Sequence, residues 1–331
     1  MKRMIRILSI DGGGMKGIIS AIVLERLEEL LRFYSRREDA VISDYFDLVG
    51  GTSTGSIITA LLLAPDRTGK GGYVASDIIN LYEQHGKEIF KKRLFFPVSQ
   101  LVSSKYSSRA FERLLEKYLK GLTLEDLKKD CLITSYDMSR RKGVFFSTLS
   151  SNTWEKQNYA LKDIVLASAA APTYFPPRQL YNERYPNNCH IDGGVIANNP
   201  AMCLLVESVK CQGFTSFNDV MLLSIGNAGS TEYYEYRSVK HWGIVNWAIP
   251  MLNILMDGSE GTVHYQVKCI FDNLNCKDQY LRIEKNTNEE VPAMDAVSDK
   301  ALVRMIEIGE QLVRENDEKL KAFVKRLVKE G

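Results

Sequence analysis

The chain has 331 residues, of which 45% are hydrophobic and 25% are charged, and its formal net charge is +2. This length allows one large α/β domain or two small ones, and the composition is ordinary for a globular protein. The near-neutral charge gives no indication of a nucleic acid partner. The apolar run at the N-terminus is too short for a signal peptide, and no run reaches the ~20 apolar residues of a membrane span. We therefore predict a cytoplasmic protein that is at most peripheral to a membrane.

The six cysteines indicate neither a metal site nor a disulfide framework. No pair has the C-x-x-C spacing, and the other spacings fit no common set of zinc ligands. Scattered reduced cysteines are the favoured interpretation, and we predict no metal and no cofactor. The six are Cys131, Cys189, Cys203, Cys211, Cys269 and Cys276.

The first 64 residues predict two successive strand–helix units. Residues 6–10 are apolar and β-branched, which favours a strand, and a helix is expected from about residue 15 to 33 because apolar side chains recur there at three- and four-residue spacing. A second strand is predicted at 45–49 and a second helix at about 54–64. This β-α-β-α order predicts an α/β fold with a mostly parallel sheet and helices on its faces.

The second strand-to-helix turn carries Gly51, Ser53 and Gly55 in a G-x-S-x-G pattern. In this pattern the serine sits on a strained elbow at the carboxyl end of a strand, with its hydroxyl exposed. The glycines permit the tight backbone, and the free N–H groups of the following helix favour negative charge beside the serine. The pattern is weak alone, but the strand before it and the helix after it are the context that it requires. We predict that Ser53 is a nucleophile; the alternative is a structural turn.

The first strand-to-helix turn carries Gly12, Gly13, Gly14 and Gly17. The spacing Gly12-x-Gly14-x-x-Gly17 matches the dinucleotide-binding pattern, but that function requires an acidic residue at the end of the next strand, where this chain has glycines. The favoured alternative is an anion hole, because consecutive glycines before a helix can direct backbone N–H groups at one point. If the two strands are neighbours, that point lies near Ser53. Lys16 either adds positive charge there or pairs at the surface.

The middle of the chain combines predicted helices at 75–90, 107–119 and 161–171 with predicted strands at 131–136 and 143–147. Between the first two helices, basic residues precede aromatic ones from Lys91 to Phe96. This order is typical of a membrane-surface contact, and it is equally typical of a helix end followed by core residues. After the third helix, Tyr174 and Phe175 lie among prolines, which suits either the wall of an apolar ligand site or a packed loop.

The third glycine-containing motif is Asp192-Gly193-Gly194, which lies at the end of a predicted short strand. Beyond it we expect a helix at 201–209, a strand at 220–225, a helix within 233–256 and one or two amphipathic helices at 299–330. We see no linker or repeat. The chain is predicted to be one domain over residues 1–331, with a core at about 5–230 and a helical part at about 231–331.

A serine hydroxyl needs a base before it can attack. The chain has four histidines, of which His241 and His264 follow the order serine, acid, histidine, although neither lies in a glycine-flanked loop. His190 lies two residues from Asp192, and three interpretations are open: a base, a substrate contact, or a residue with no part in the reaction. The setting of Asp192 suggests instead that this carboxylate acts directly on Ser53. An aspartate with an ordinary pKa of ~3.9 is a weak base, and burial would strengthen it.

Taken together and in this order, the three glycine-containing motifs resemble those of the patatin-like phospholipases. The likeness extends over about residues 5–312 and is close to the plant patatins. It rests on Asp11-Gly12-Gly13-Gly14-Met15-Lys16-Gly17, Gly51-Thr52-Ser53-Thr54-Gly55 and Asp192-Gly193-Gly194, with support from Ala169 to Pro177 and from Asn198-Asn199-Pro200.

The resemblance implies a three-layer α/β/α fold and hydrolysis of fatty acyl esters of phospholipids, galactolipids or acylglycerols, with no catalytic histidine and no calcium. It implies that Ser53 is the nucleophile and Asp192 the general base. An oxyanion hole would form from the loop glycines and the N–H of Thr54. The motif residues that it assigns are Gly12, Gly13, Gly14, Lys16, Gly17, Gly51, Thr54, Gly55, Gly193 and Gly194.

Two alternatives stay open at this point, besides a histidine-dependent hydrolase of another fold. One is an effector lipase that a nucleotide or a partner activates. The other is a lipid-binding or storage protein with vestigial esterase activity, although such a protein would not need both Ser53 and Asp192. The expected partner is a membrane or a lipid substrate, and no nucleic acid polymer is expected; the sequence does not indicate an oligomeric state.

Overall fold

The computed structural model describes residues 3–65, 72–92, 103–149, 159–181, 185–230 and 234–330. In this part of the chain a mostly parallel sheet carries helices on both faces, which confirms the predicted α/β fold. The strands are β1 (Ile5–Ile10), β2 (Leu48–Gly51), β3 (Asp130–Asp137), β4 (Lys142–Ser147), β5 (His190–Asp192), β6 (Val220–Ser230) and β7 (Tyr280–Thr287).

The strand order β4-β3-β2-β1-β6-β7 makes β1 and β2 parallel neighbours. The turns that follow these two strands therefore meet at the same edge of the sheet. β2 pairs with the first half of β3, from Asp130 to Ile133, while β5 pairs antiparallel with its second half, from Ser135 to Asp137. Strand β5 thus lies beyond the carboxyl end of β2, and this brings its last residue, Asp192, to the edge where the β2 turn lies.

Helices cover the sheet on both faces because β1, at its centre, buries side chains on both sides. Ile5 and Ile7 belong to one apolar core, whereas Leu8 and Ile10 belong to the other, as the two-residue period of a strand requires. The helices are α1 (Gly17–Ser35), α2 (Thr54–Leu63), α3 (Ala75–Ile89), α4 (Arg109–Leu119), α5 (Leu161–Ser168), α6 (Gly194–Ala197), α7 (Ala201–Glu207), α8 (Tyr236–Val239), α9 (Ile244–Asn273) and α10 (Asp299–Lys329).

Helices α7 and α9 contribute to the core that holds Ile5 and Ile7, and helices α1 to α5 and α10 contribute to the other. Helix α10 packs along α1, where Arg26 and Asp317 form a salt bridge of 2.9 Å. None of the helices within the described ranges is long and apolar enough to cross a bilayer.

The largest differences from the predicted elements lie in the C-terminal third. Strand β7 was not predicted, because Arg282, Glu284 and Lys285 interrupt its apolar residues; the part after residue 231 is therefore not purely helical. Helix α9 continues to Asn273, well beyond the expected end, and residues 299–329 form one helix. In the candidate membrane contact, Lys91 and Lys92 are exposed, and residues 93–96 lie outside the described residues.

Candidate active site

Ser53 occupies the turn between β2 and α2 and has strained backbone dihedral angles. Its φ is 54° and its ψ is −119°, a conformation that costs a non-glycine residue roughly 1–3 kcal/mol. Its N–H donates to Ser168 Oγ at 2.9 Å. A Cβ on Gly51 would lie 2.1 Å from the carbonyl oxygen of Gly55, and one on Gly55 would lie 2.2 Å from that of Ile10. The glycines therefore allow the close backbone approach that holds Ser53 on this elbow.

Asp192 ends β5 with a carboxyl group that is buried and only half satisfied. Its side chain is 3% exposed, and Oδ1 accepts a hydrogen bond of 2.7 Å from the N–H of Gly194. Oδ2 has no partner that satisfies hydrogen-bond geometry in the described part of the chain. Burial raises the pKa of Asp192 to about 7, and an interaction with the Ser53 side chain opposes this shift. A carboxylate with this pKa is a much stronger base than an exposed aspartate.

The glycine loop after β1 differs in one respect from the expected oxyanion hole. The N–H of Gly12 donates to the carbonyl of Asn198 at 3.0 Å, and this bond leaves it unavailable to a substrate. Gly13 and Gly14 make no hydrogen bond through their N–H groups within the described ranges. Gly14 has a φ of +59°, which favours glycine. The N–H groups of Gly13, Gly14 and Thr54 are therefore the candidate donors, and Gly12 instead anchors the loop.

One apolar cavity brings these groups together. Ser53, Asp192, Gly13, Gly14 and Thr54 all border it, and the free volume is about 50 Å³. This volume is well below the ~300–1,000 Å³ of most small-molecule pockets. The apolar part of the wall consists of Met15, Ile57, Leu81, Tyr82, Ile89, Phe90, Phe111, Ala169, Ala171, Tyr174, Phe175, Met256 and Met294.

The remaining motif residues shape the surroundings of the cavity. Gly17 begins α1, where a Cβ would lie 2.4 Å from both Thr54 Oγ1 and the hydroxyl of Tyr82. Gly193 packs against Thr134, and a Cβ on Gly193 would lie 2.1 Å from Thr134 Oγ1. Lys16 Nζ donates to the carbonyl of Ala228 at 3.0 Å, and burial lowers the pKa of Lys16. Lys16 is thus hydrogen-bonded to the C-terminal part of β6 and forms no surface salt bridge within the described residues.

No histidine borders this cavity in the described part of the chain. His190 packs against Phe146, with ring centroids 5.8 Å apart, and burial lowers its pKa to about 4 although Asp137 opposes the shift. His264 shares a hydrogen bond of 2.9 Å with the hydroxyl of Tyr280. The alternatives in which a histidine activates Ser53 therefore find no support in the geometry.

Several residues that hold the site were not predicted. Asn227 Nδ2 donates to the carbonyl of Gly12 at 2.7 Å, and Asn198 Nδ2 donates to Glu260 Oε1 at 2.6 Å. Arg282, on β7, donates to both carboxylate oxygens of Asp11 at 2.8 and 2.5 Å, directly before the glycine loop. Asn198 lies in the Asn198-Asn199-Pro200 segment that supports the resemblance, although no role was predicted for its side chain. Asn227 also had a local signal, since it follows the predicted strand of β6 and polar residues at that edge of a parallel sheet are candidate site residues. Arg282 and Glu260 had none.

A larger cavity, of about 460 Å³, lies where β1, β2 and β3 begin. Asp47, Asp130 and Cys211 are among its lining residues. It contains none of the predicted catalytic residues, and the carboxyl edge is where open α/β sheets place their ligands. The smaller apolar cavity at Ser53 is therefore the candidate active site.

Comparison with known proteins identifies the family of the chain. The sequence model of the patatin-like phospholipases matches residues 8–205, which include the glycine loop, the Ser53 elbow and Asp192. The chain belongs to the patatin-like phospholipase family. Patatin-like protein 1 of Arabidopsis thaliana is 33% identical over an alignment that covers 94% of this chain and 81% of that protein. Patatin-like protein 4 of the same plant is 31% identical, with 95% and 84% covered.

Membership of the patatin-like phospholipase family confirms the resemblance and indicates a lipid hydrolase. A third relative, from Solanum tuberosum, is described as probable inactive patatin-3-Kuras 1. It is 30% identical over 98% of this chain and 92% of its own length. Family membership alone therefore does not establish that this chain hydrolyses lipid esters.

Proposed function

We propose that this chain hydrolyses fatty acyl esters of lipids, with Ser53 as the nucleophile and Asp192 as the general base. The observation that carries the proposal is the shared cavity, in which a serine held at positive φ meets a buried carboxyl with a raised pKa among apolar walls. An apolar wall suits a fatty acyl chain, and a buried carboxylate of high pKa suits proton abstraction at neutral pH.

The first half-reaction transfers the acyl group to the protein. Ser53 Oγ attacks the ester carbonyl as its proton passes to Asp192, and the carbonyl oxygen becomes an oxyanion. The N–H groups of Gly13, Gly14 and Thr54 donate to that oxygen, at roughly 3–4 kcal/mol per donor in comparable sites. The C–O bond of the ester then breaks, and the departing alcohol takes the proton from Asp192.

The second half-reaction restores the serine. Water gives a proton to Asp192 and attacks the acyl-serine carbonyl, and the same N–H groups hold the new oxyanion. The bond to Ser53 Oγ breaks, the serine regains its proton from Asp192, and the fatty acid leaves. Every proton transfer in this scheme uses one carboxyl group, which accounts for a site without a histidine.

The direct test is to trap the acyl-serine while a metal chelator is present. Wild-type protein is mixed with a p-nitrophenyl fatty acyl ester in EDTA, quenched in acid within seconds and digested for mass spectrometry. We expect steady release of fatty acid and an added acyl mass on the peptide that contains Ser53. Turnover with the acyl group on another residue, or no turnover of any fatty acyl ester, would reject the proposal.

Activity should depend on pH through the ionisation of Asp192. Only the carboxylate accepts a proton, so kcat/KM for an uncharged ester should rise about tenfold per pH unit below the pKa and level off above it. Because burial raises the pKa of Asp192 to about 7, we expect the half-maximal value near pH 7. Rates measured from pH 5 to 9 check this. A profile that is already flat at pH 5 would mean that a group with an ordinary carboxylate pKa, or no group, acts as base.

A further inference from the structure

The first half of α9 is apolar on a side that faces solvent. Residues 242–256 contain no charged side chain. Ile244, Met251, Ile254 and Leu255 are 90%, 42%, 38% and 50% exposed. At 3.6 residues per turn, these four side chains lie within an arc of ~100° around the helix axis, and we call them the α9 patch. A helix at the surface of a globular protein normally presents polar residues on its solvent side, so the patch indicates a contact surface.

The other side of the same helix segment faces the candidate active site. Met256 borders the apolar cavity that contains Ser53, and it also borders a polar cavity of about 380 Å³ beside the glycine loop. Further along this side of α9, Val267 is fully buried in the core. The helix thus separates the α9 patch from the cavity wall by about one helix diameter, ~10 Å. Whatever binds the patch is therefore held next to the candidate active site.

Aromatic and basic side chains lie around the beginning of α9. The rings of Trp242 and Trp247 pack edge to face, with their centroids 5.1 Å apart. Arg237 and Lys240 are exposed and form no salt bridge within the described ranges, and Glu235 is the acidic residue beside them. In helices that lie in a membrane surface, tryptophan rings and basic side chains are typical of the level of the lipid head groups. The α9 patch therefore has the flanking residues that a contact with lipid requires.

The polar residues of this helix segment lie away from the patch. Asn246 and Asn253 are ~140–160° from the centre of the α9 patch around the helix axis. Asp257, the first charged residue after the patch, is ~120° from that centre. Interfaces between proteins form roughly one hydrogen bond per 100–200 Å² and need polar groups in the contact. The acyl region of a bilayer needs none, so a purely apolar patch suits a lipid surface better than a protein partner.

We propose that the α9 patch docks this protein on a lipid surface. Its four side chains enter the acyl region, and Trp242, Trp247, Arg237 and Lys240 lie at the level of the head groups. This surface is different from the segment 91–96 that the sequence indicated. The inference goes beyond the proposed function, because it assigns the contact that brings the cavity to an aggregated substrate. The choice of lipid as the partner rests on that function, since a lipid hydrolase meets its substrate in such a surface.

The first test measures binding to vesicles that the protein cannot hydrolyse. Diether phosphatidylcholine with a minor fraction of diether phosphatidylglycerol contains no acyl ester, and bound protein is measured by co-sedimentation. We expect Ile244→Asp/Leu255→Asp to lower the partition coefficient by at least ~30-fold, because two apolar side chains no longer enter the bilayer. The matched control is Phe33→Asp/Val303→Asp, which adds the same charge on α1 and α10, where these residues are 73% and 54% exposed. Its partition coefficient should stay within about threefold of the wild-type value.

The second test separates docking from the chemistry at Ser53. One ester, p-nitrophenyl palmitate, is carried in the same diether vesicles, and another, p-nitrophenyl butyrate, is dissolved in water. At low vesicle concentration, Ile244→Asp/Leu255→Asp should lower the rate on the vesicle ester by about tenfold or more, in line with its weaker binding. Neither residue borders the cavity, so kcat/KM for the dissolved ester should stay within about twofold of the wild-type value.

The outcomes distinguish docking from the proposed function. Equal loss of binding in the two double variants, or no vesicle binding by the wild type, would overturn the docking inference even if the dissolved ester is hydrolysed. A wild-type dimer in solution that Ile244→Asp/Leu255→Asp converts to a monomer, as measured by light scattering, would also overturn it, because a second copy would then cover the patch. If binding is lost only in the α9 variant while the wild type hydrolyses neither ester, the docking inference stands and the proposed function is rejected.

Discussion

Replacing Asp192 by asparagine is expected to lower kcat/KM for a fatty acyl ester by at least ~10³-fold. The asparagine has nearly the same shape and keeps an oxygen for the N–H of Gly194, but it cannot accept the proton of Ser53. Isosteric loss of a catalytic carboxylate has effects of this size in other serine hydrolases. The rates are measured at pH 8, where Asp192 is mostly ionised because burial raises its pKa to about 7.

The same substitution should not destabilise the fold. The pKa of Asp192 is raised from 3.8 in the unfolded chain to about 7 in the folded chain, so the folded state binds the proton more tightly. The contribution of this group to stability is therefore present below pH 4, decreases as the pH rises to about 7, and stays low above it. Asp192→Asn removes this penalty, and we expect its Tm at pH 8 to equal or exceed that of the wild type. A folded but inactive variant would separate catalysis from stability.

Ser53→Ala and the double variant are the controls for Asp192→Asn. Two residues that act as one unit give non-additive effects. The kcat/KM of the double variant should therefore lie within a few fold of that of the less active single variant. A result in which Asp192→Asn keeps more than a tenth of the activity, while His190→Ala or another histidine variant loses it, would reject the proposed base.

The second large effect concerns stability: Arg282→Met should lower the free energy of unfolding by about 3–5 kcal/mol. The side chains of Arg282 and Asp11 are 4% and 0% exposed, and the two form a bidentate salt bridge. Burial raises the pKa of Asp11, and the Arg282 guanidinium opposes that shift. Removal of the arginine would leave a buried carboxyl without its cation, directly before Gly12.

Denaturant unfolding at pH 7 measures this effect, and two further variants test its cause. Arg113→Met removes an exposed salt bridge with Glu88, 3.2 Å long, and should cost no more than about 1 kcal/mol. Adding Asp11→Asn to Arg282→Met should restore part of the lost stability, because the asparagine has no charge to bury. Equal losses in Arg282→Met and Arg113→Met would show that the buried pair has no special role.

The sequence alone determined the elements whose information is local. The G-x-S-x-G pattern needs only its own strand and helix to place Ser53 on an elbow, and the helical period of apolar residues predicts α1 within about two residues at each end. The order of these units also predicts a mostly parallel sheet. A helix between two strands brings the chain back to the same edge of the sheet, so that the second strand runs parallel to the first. These features depend on neighbours in the chain, so one sequence is sufficient to predict them.

The tertiary structure decided which distant residues meet. β5 pairs with β3 beyond the end of β2, and this pairing, rather than any motif, brings Asp192 to Ser53. The carbonyl of Asn198 occupies the N–H of Gly12, and Arg282 reaches Asp11 across 271 positions of the sequence. Such contacts depend on strand order and register, which nonlocal packing determines and local sequence patterns do not encode. Hence the sequence was sufficient to propose the reacting groups, and only the fold showed which amides, cations and cavities surround them.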